Sequence, residues 1–170
     1  MAALFLIVFG VVMRLLPHMS NATPVAAIAL FGGAYLSKRL SIALPLAILV
    51  ISDAIIGFDS FASRLTVYSA FALIGLLGWT LRKRRSAMTV VGSSLAGSII
   101  FYIATNFAFL YPTNMYAHNW HGIMQSYYAA LPFFRGTIIG DLFYTCALFG
   151  GYELVVLLRE RMQRRTAPSV

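Results

Sequence analysis

Residues 22–36 read ATPVAAIALFGGAYL, an apolar run dominated by alanine and glycine. Ala22 and Ala26 are four residues apart, and so are Ala29 and Gly33. Small residues at this spacing share one face of a helix and allow a second helix to approach backbone to backbone. The run therefore predicts a closely packed membrane helix, whose small face packs either within its own bundle or against another membrane protein.

Five further apolar runs surround this one, at residues 2–16, 40–58, 65–81, 88–110 and 136–158. The chain of 170 residues is 60% hydrophobic and 11% charged, whereas soluble domains carry about 25% charged residues. So few polar side chains exclude a soluble globular enzyme, and most runs approach the roughly 20 residues that cross a bilayer. We predict an all-α membrane protein, a bundle of six transmembrane helices in one domain (1–165), followed by a frayed tail (166–170).

The positions of the basic residues predict the orientation of this bundle. Lys38, Arg39, residues 82–85 and the tail from Arg159 hold ten of the thirteen lysines and arginines. Basic residues accumulate on the cytoplasmic side of membrane proteins. Both termini are therefore expected in the cytoplasm of a bacterial cell, with the chain in its inner membrane. This topology accounts for the net charge of +8, so nucleic-acid binding is not expected.

Four polar residues fall at one depth once this orientation is adopted. Arg14, Asp53, Asn106 and Asp141 each lie within about two helical turns of the outer membrane surface. Ionisable groups at such a depth are costly and usually face a bundle interior or a watery cavity. They predict an outward-opening pocket, although a purely structural ion pair of Arg14 with Asp53 or Asp141 explains part of the pattern equally well.

The outer loops add polar and aromatic side chains to this pocket. Residues 123–134 alternate aromatic and polar side chains, as in a short interfacial helix or a lid. Aromatic walls with a few converging polar groups are typical of small-molecule sites, although the same aromatics fit an interfacial belt. The predicted substrate-binding residues are His18, Asn21, Asp53, Asn106, His118, Trp120, Arg135 and Asp141.

Motifs for catalysis and metal binding are weak in this chain. A single cysteine, Cys146, allows neither an internal disulfide nor a multi-cysteine metal site. His118 and His121 have helical spacing, but no carboxylate or cysteine lies near them in sequence. We expect no metal, no cofactor and no enzymatic activity. Two alternatives remain open: a membrane enzyme acting on a lipid or isoprenoid with Asp53 and Asp141 as acid and base, and a non-catalytic accessory subunit.

Two blocks of sequence carry a resemblance to a known group. They are HMSNATPVAAIALFGGAYL at 18–36, followed by Ser52, Asp53 and Gly57, and YAALPFFRGTIIGDLFY at 128–144, followed by FGGYE at 149–153. Together they resemble a group of uncharacterised small bacterial membrane proteins assigned to transport. That group in turn resembles the S components of energy-coupling-factor (ECF) vitamin transporters, six-helix proteins that capture a vitamin outside the cell and pair with an ATP-driven module.

The resemblance implies an S-component-like bundle that binds and takes up a vitamin-like small molecule, with a cobalamin-type ligand as one expectation. In S components an alanine-spaced face docks the coupling module, and the nearest match here is Ala22, Ala26, Ala29 and Gly33. Some cobalamin-type members act without the module. Some ligate cobalt through an outer cysteine, a part that His18 or His118 would have to take in this chain.

The orientation is directly testable. A reporter fused after Val170 is expected in the cytoplasm, and one inserted near Asn114 is expected outside the cell, because the basic loops stay on the cytoplasmic side. Alkaline phosphatase and green fluorescent protein fusions report the two locations. The reverse result would move the predicted pocket to the cytoplasmic face.

Overall fold

The protein is all-helical in the computed structural model, which describes residues 1–19 and 21–166 and side chains up to residue 164. No strand occurs within these ranges. The helices are α1 (Ala2–Leu15), α2 (Val25–Tyr35), α3 (Lys38–Ile56), α4 (Phe61–Thr80), α5 (Ala87–Thr105) and α6 (Trp120–Thr166), and a short 3₁₀ turn spans Ala108–Leu110.

Serine caps set the first residues of α3, α4 and α5. Ser37, Ser60 and Ser86 each accept a hydrogen bond from the backbone N–H three residues later, at 3.2 Å in all three helices. Such a cap satisfies one of the backbone donors that a helix start leaves unpaired. At Ser86 the cap is reciprocal, since the Thr89 side chain accepts from the Ser86 N–H. These three helices therefore begin where the sequence supplies a cap.

Helix α2 lies at the centre of the bundle. It packs against α3, α4, α5 and α6 and touches α1, so that five helices surround it. Ile28 and Ala29 are fully buried, and almost every other side chain of α2 is buried as well. A helix that is apolar on all sides is stable only in such an interior position.

Glycines bring α2 and α4 into backbone contact. A Cβ placed on Gly33 would lie 2.5 Å from the carbonyl oxygen of Gly75 and 2.6 Å from the backbone carbon of Gly78. On α6, Gly140 approaches Ala22 so closely that a Cβ there would lie 2.6 Å from the Ala22 Cα. The small residues of the 22–36 run thus pack against other helices of the same chain.

The small-residue face expected to dock a partner is therefore not available on the surface. Ala29 is fully buried, Ala26 is nearly so, and Gly33 is buried against α4. Ala22 is partly buried beneath α6. The spacing correctly indicated close helix packing, but the surfaces in contact belong to α2, α4 and α6 of the same chain.

Helix α6 is longer than expected. The separate helix or lid predicted at 123–134 is wrong, because these residues continue into the last apolar run as one helix of 47 residues. Pro132 lies inside this helix without ending it. At 1.5 Å per residue α6 is about 70 Å long, more than twice the thickness of a bilayer core.

Thr166 is the last residue of α6, and the rest of the predicted frayed tail, 167–170, lies outside the described residues.

The apolar helices indicate a membrane-embedded protein. Helices α3, α4, α5 and α6 are long and apolar enough to cross a bilayer, whereas α1 and α2 are apolar but shorter, with 14 and 11 residues. The outward faces of the ring expose large apolar side chains, among them Phe5, Ile55, Leu73 and Ile103. An apolar surface of this extent is suited to lipid.

The contact between α2 and α4 predicts a strong effect of one added methyl group. Gly33→Ala is expected to destabilise the protein by about 2 kcal/mol, because the atoms that the added methyl group meets are backbone atoms of α4, which cannot yield as a flexible side chain does. The midpoint of thermal unfolding in detergent measures this.

Gly92→Ala in α5 is the matched control, since a Cβ there meets no atom within 4 Å. It is expected to leave stability unchanged or to raise it by up to about 1 kcal/mol, the gain in helix propensity. Equal unfolding midpoints for the two variants would contradict the close backbone contact.

Candidate functional site

A cavity of about 340 Å³ lies at the end of the bundle where α1 ends and α2 begins. Phe71 of α4 and Phe101 of α5 form part of its wall, with ring centroids 5.1 Å apart. The polar side chains on its wall come from α1, the α1–α2 link and α6; they are Arg14, His18, Asn21, Thr23, Thr137 and Asp141. Aromatic and apolar walls with a few polar groups are typical of small-molecule sites.

Arg14 is fixed on the cavity wall by an ion pair. Its Nη2 donates to Asp53 Oδ1 at 2.8 Å, and Tyr68 Oη donates to the other carboxylate oxygen at 2.9 Å. Both side chains of the pair are largely buried, with 20% and 17% exposed. Asp53 itself does not line the cavity. The carboxylate therefore neutralises and orients Arg14.

One nitrogen of Arg14 remains unpaired. Nη1 is the one buried side-chain nitrogen or oxygen without a hydrogen-bond partner in the part of the chain that the structure describes. An unpaired buried donor costs free energy, about 1–3 kcal/mol. A ligand acceptor that reaches this nitrogen would recover part of that cost.

Asp141 is the most deeply buried charged group of the site. It is 3% exposed, and Ser98 Oγ donates to its Oδ2 at 2.7 Å. The pair Arg14–Asp53 is the one salt bridge within residues 1–19 and 21–164, so Asp141 has no cationic partner there. Its carboxyl group lies on the cavity wall, and the group that donates a hydrogen bond to it is a neutral hydroxyl.

The link between α1 and α2 completes the cavity wall. His18 Nδ1 is 2.6 Å from the carbonyl oxygen of Leu16, which fixes the ring against the end of α1. Asn21 has a φ of 62°, in the left-handed region that asparagine adopts more readily than most residues. These local contacts hold both polar side chains at the mouth of the cavity.

Asn106 and His118 lie outside this cavity. Asn106 Nδ2 donates to the Tyr102 carbonyl at 2.8 Å and ends α5 beside a separate cavity of about 220 Å³. His118 Nε2 is 2.9 Å from the Tyr111 carbonyl oxygen, and its ring stacks on Phe109. Burial raises the pKa of the neighbouring Tyr111, and the charges of Tyr116 and Asp59 add to that increase. These residues organise the 106–119 segment.

Trp120 and Arg135 are also separate from the cavity. Trp120 is the first residue of α6 and is 74% exposed. Arg135 is exposed on the same helix, and it makes no ion pair with any side chain that the structure describes. Of the eight predicted binding residues, the cavity thus brings together His18, Asn21 and Asp141. Asp53, Asn106 and Asp141 were predicted from their depth in the membrane, and depth alone does not specify which face of a helix points inward. The other five were predicted from their positions in the outer loops.

The comparison with protein families matches residues 1–165 to DUF6580, a family of unknown function. The chain belongs to this DUF6580 family. Neither the curated proteins nor the solved structures contain a match. Activity in this family member therefore has to be argued from the cavity itself.

Several residues of this site were not predicted from the sequence. Tyr68 and Ser98 hold the two carboxylates, and Thr137, Phe71 and Phe101 line the cavity. Ser94 and Ser98 are spaced i, i+4 in a mainly apolar helix, and this spacing was an available signal. No comparable signal marks the two phenylalanines, because phenylalanine occurs throughout the chain.

The acid–base pair considered for a membrane enzyme does not share a cavity. Asp141 lines the 340 Å³ cavity, whereas Asp53 is held outside it by Arg14 and Tyr68. Within the described residues, no three His, Cys, Asp or Glu side chains cluster as metal ligands. The groups that line the cavity can donate and accept hydrogen bonds and can contact an aromatic ring.

The Arg14–Asp53 pair predicts that substitutions of its two residues have non-additive effects on stability. Asp53→Asn is expected to destabilise the protein by about 2 kcal/mol, because Arg14 keeps its charge without a counterion. The figure is below that of a fully buried pair since both side chains are partly exposed. Chemical unfolding in detergent measures this.

The double variant Arg14→Met, Asp53→Leu is expected to recover most of that loss, because neither buried charge remains. Glu160→Gln, at an exposed position of α6, controls for the loss of one carboxylate. If the double variant is as unstable as Asp53→Asn or more so, the two side chains are not coupled.

Proposed function

We propose that the protein binds a vitamin-sized molecule in the 340 Å³ cavity and takes it up across the bacterial inner membrane, as S components do. In this proposal all six helices lie in the membrane, both termini are cytoplasmic, and the cavity opens to the outside. No catalytic step is involved.

The distribution of charge supports the orientation. At one end of the bundle Lys38 lies over the Trp79 ring, Arg82 Nε donates to the Gly33 carbonyl, and Arg85 lies over the Tyr35 ring. The cavity lies at the opposite end, beside Arg14 and the start of α2. Because the basic end is the cytoplasmic one by the positive-inside rule, the cavity faces outward.

Asp141 is the observation that carries the proposal. A nearly buried carboxyl group on a cavity wall, with one hydroxyl donor and no cationic partner among the described side chains, is suited to a ligand that supplies an N–H or a positive charge. Arg14, on the wall of the same cavity, adds a cationic side chain that favours an acceptor on the same ligand. The rings of Phe71 and Phe101 together offer an aromatic surface to the ligand. These features favour a nitrogen-containing heteroaromatic ligand.

The size of the cavity favours a small vitamin. Its volume of about 340 Å³ lies at the lower end of the 300–1,000 Å³ range for drug-sized ligands. A molecule of one or two rings fits this range, whereas a corrinoid is several times larger. The cobalamin-type ligand is therefore not favoured, on the ground of its size.

The burial of α2 also limits how an ATP-driven module could be coupled to uptake. Since the small face of α2 is buried, an ECF-type module would have to contact the ring helices instead. Uptake measured in proteoliposomes with and without ATP and a module separates coupled transport from transport by this chain alone. An accessory subunit would show no uptake under either condition.

Binding is tested with thiamine, pyridoxine, riboflavin and biotin as probes. We expect at least one nitrogen heterocycle to raise the unfolding temperature of the purified protein and to bind in titration calorimetry. Asp141→Asn is expected to weaken this binding tenfold or more, the loss of one charge-assisted contact.

Arg135→Gln is the control, because Arg135 is on the same helix but outside the cavity. It is expected to bind as the wild type does. The proposal is wrong if none of the four probes binds, or if the two variants bind a probe equally well.

A further inference from the structure

A second cavity lies at the basic end of the bundle, far from the first. It has a volume of about 370 Å³ and is formed by α2, α5 and α6. Its inner wall is apolar, with Val90, Val91 and Phe149, whereas Arg85 and Glu153 are its charged residues. The cavity is thus amphipathic.

This second cavity is an elongated groove that runs along the helix axes. Cys146, Gly150 and Glu153 lie on successive turns of one face of α6, so the groove runs for about 10 Å toward the middle of the membrane. Val91, Cys146 and Gly150 are exposed on the outer surface of the ring. The groove therefore opens sideways between α5 and α6, toward lipid.

Tyr35 holds the two charged groups at the basic end of the groove. Its hydroxyl donates to Glu153 Oε1 at 2.7 Å, and the Arg85 guanidinium carbon is 4.6 Å from its ring centroid. Tyr35 thus contacts both a positive and a negative group. Ser86 caps α5 next to Arg85, so the positive end of that helix dipole adds to the positive side.

Gly150 keeps the groove open. A Cβ at this position meets no atom within 4 Å, so helix packing does not require a glycine there. Glycine inside a helix is less stable than alanine by about 1 kcal/mol. The absence of a side chain at Gly150 leaves this part of the groove wide.

We propose that this groove binds a phospholipid whose headgroup contains both a phosphate and a primary ammonium group, as phosphatidylethanolamine does. The phosphate contacts Arg85 and the start of α5, and the ammonium contacts Glu153. One acyl chain lies along Val90, Val91 and Phe149. Charge complementarity selects this lipid, because an anionic lipid without an amine leaves Glu153 facing a negative headgroup, and a choline headgroup has no N–H to donate.

Cys146 provides a readout, since it is the one cysteine of the chain and lines the groove. Phosphatidylethanolamine added to the detergent-solubilised protein is expected to slow alkylation of Cys146 by N-ethylmaleimide about tenfold. Phosphatidylglycerol and phosphatidylcholine at the same concentration are expected to slow it much less. Native mass spectrometry counts the bound lipid independently.

Two variants test the charged end. Arg85→Gln is expected to weaken binding of every phospholipid, roughly tenfold for one charge-assisted contact. Glu153→Gln is expected to abolish the preference for phosphatidylethanolamine over phosphatidylglycerol, which a merely structural role of Glu153 would leave unchanged.

Gly150→Leu fills the groove and is expected to remove the bound lipid in native mass spectrometry. Gly151→Leu is its control, because a Cβ there also meets no atom within 4 Å but Gly151 does not line the groove. Equal lipid occupancy in the two variants, or equal binding of the three lipids by the wild type, would overturn the proposal. This proposal does not depend on the function assigned to the outer cavity.

Discussion

The close backbone contact of α2 with its neighbours is the constraint on which the rest of the bundle depends. Lipid is as apolar as leucine, so burial from water does little to hold membrane helices together, and close packing has a larger part. Gly33, Gly75 and Gly78 allow α2 and α4 to meet without intervening side chains. With α2 in the centre, the other five helices form a ring around it, and both cavities lie between α2 and members of that ring.

Helix number and approximate position were predictable from the sequence because apolar runs in a membrane protein have few alternatives. The positions of α1 to α5 lie within a few residues of the apolar runs. The start of α6 was not predictable in the same way, since polar and aromatic residues in 120–135 fit an interfacial segment as well as a helix. Pro132 also favoured a break, but a proline within a long helix can be tolerated when neighbouring groups satisfy the freed carbonyl.

The candidate site was predictable only in part, for a geometrical reason. Sequence position gives the depth of a residue in a membrane helix, and this correctly grouped Arg14 and Asp141 at one end. It does not give the rotation of the helix, and rotation decides that Asp141 lines the cavity while Asp53 turns to Arg14 and Tyr68. Asn106 shows the same limitation, since its side chain bonds back to its own helix.

The continuity of α6 has a consequence for how the chain tolerates changes in length. Asp141 at the 340 Å³ cavity and Glu153 at the groove belong to one uninterrupted helix, twelve residues apart. Inserting or deleting a single residue between them would rotate one relative to the other by about 100°. One of the two sites would then lose its carboxylate, even if the helix itself remained intact. The number of residues between Asp141 and Glu153 is therefore fixed by the two sites together.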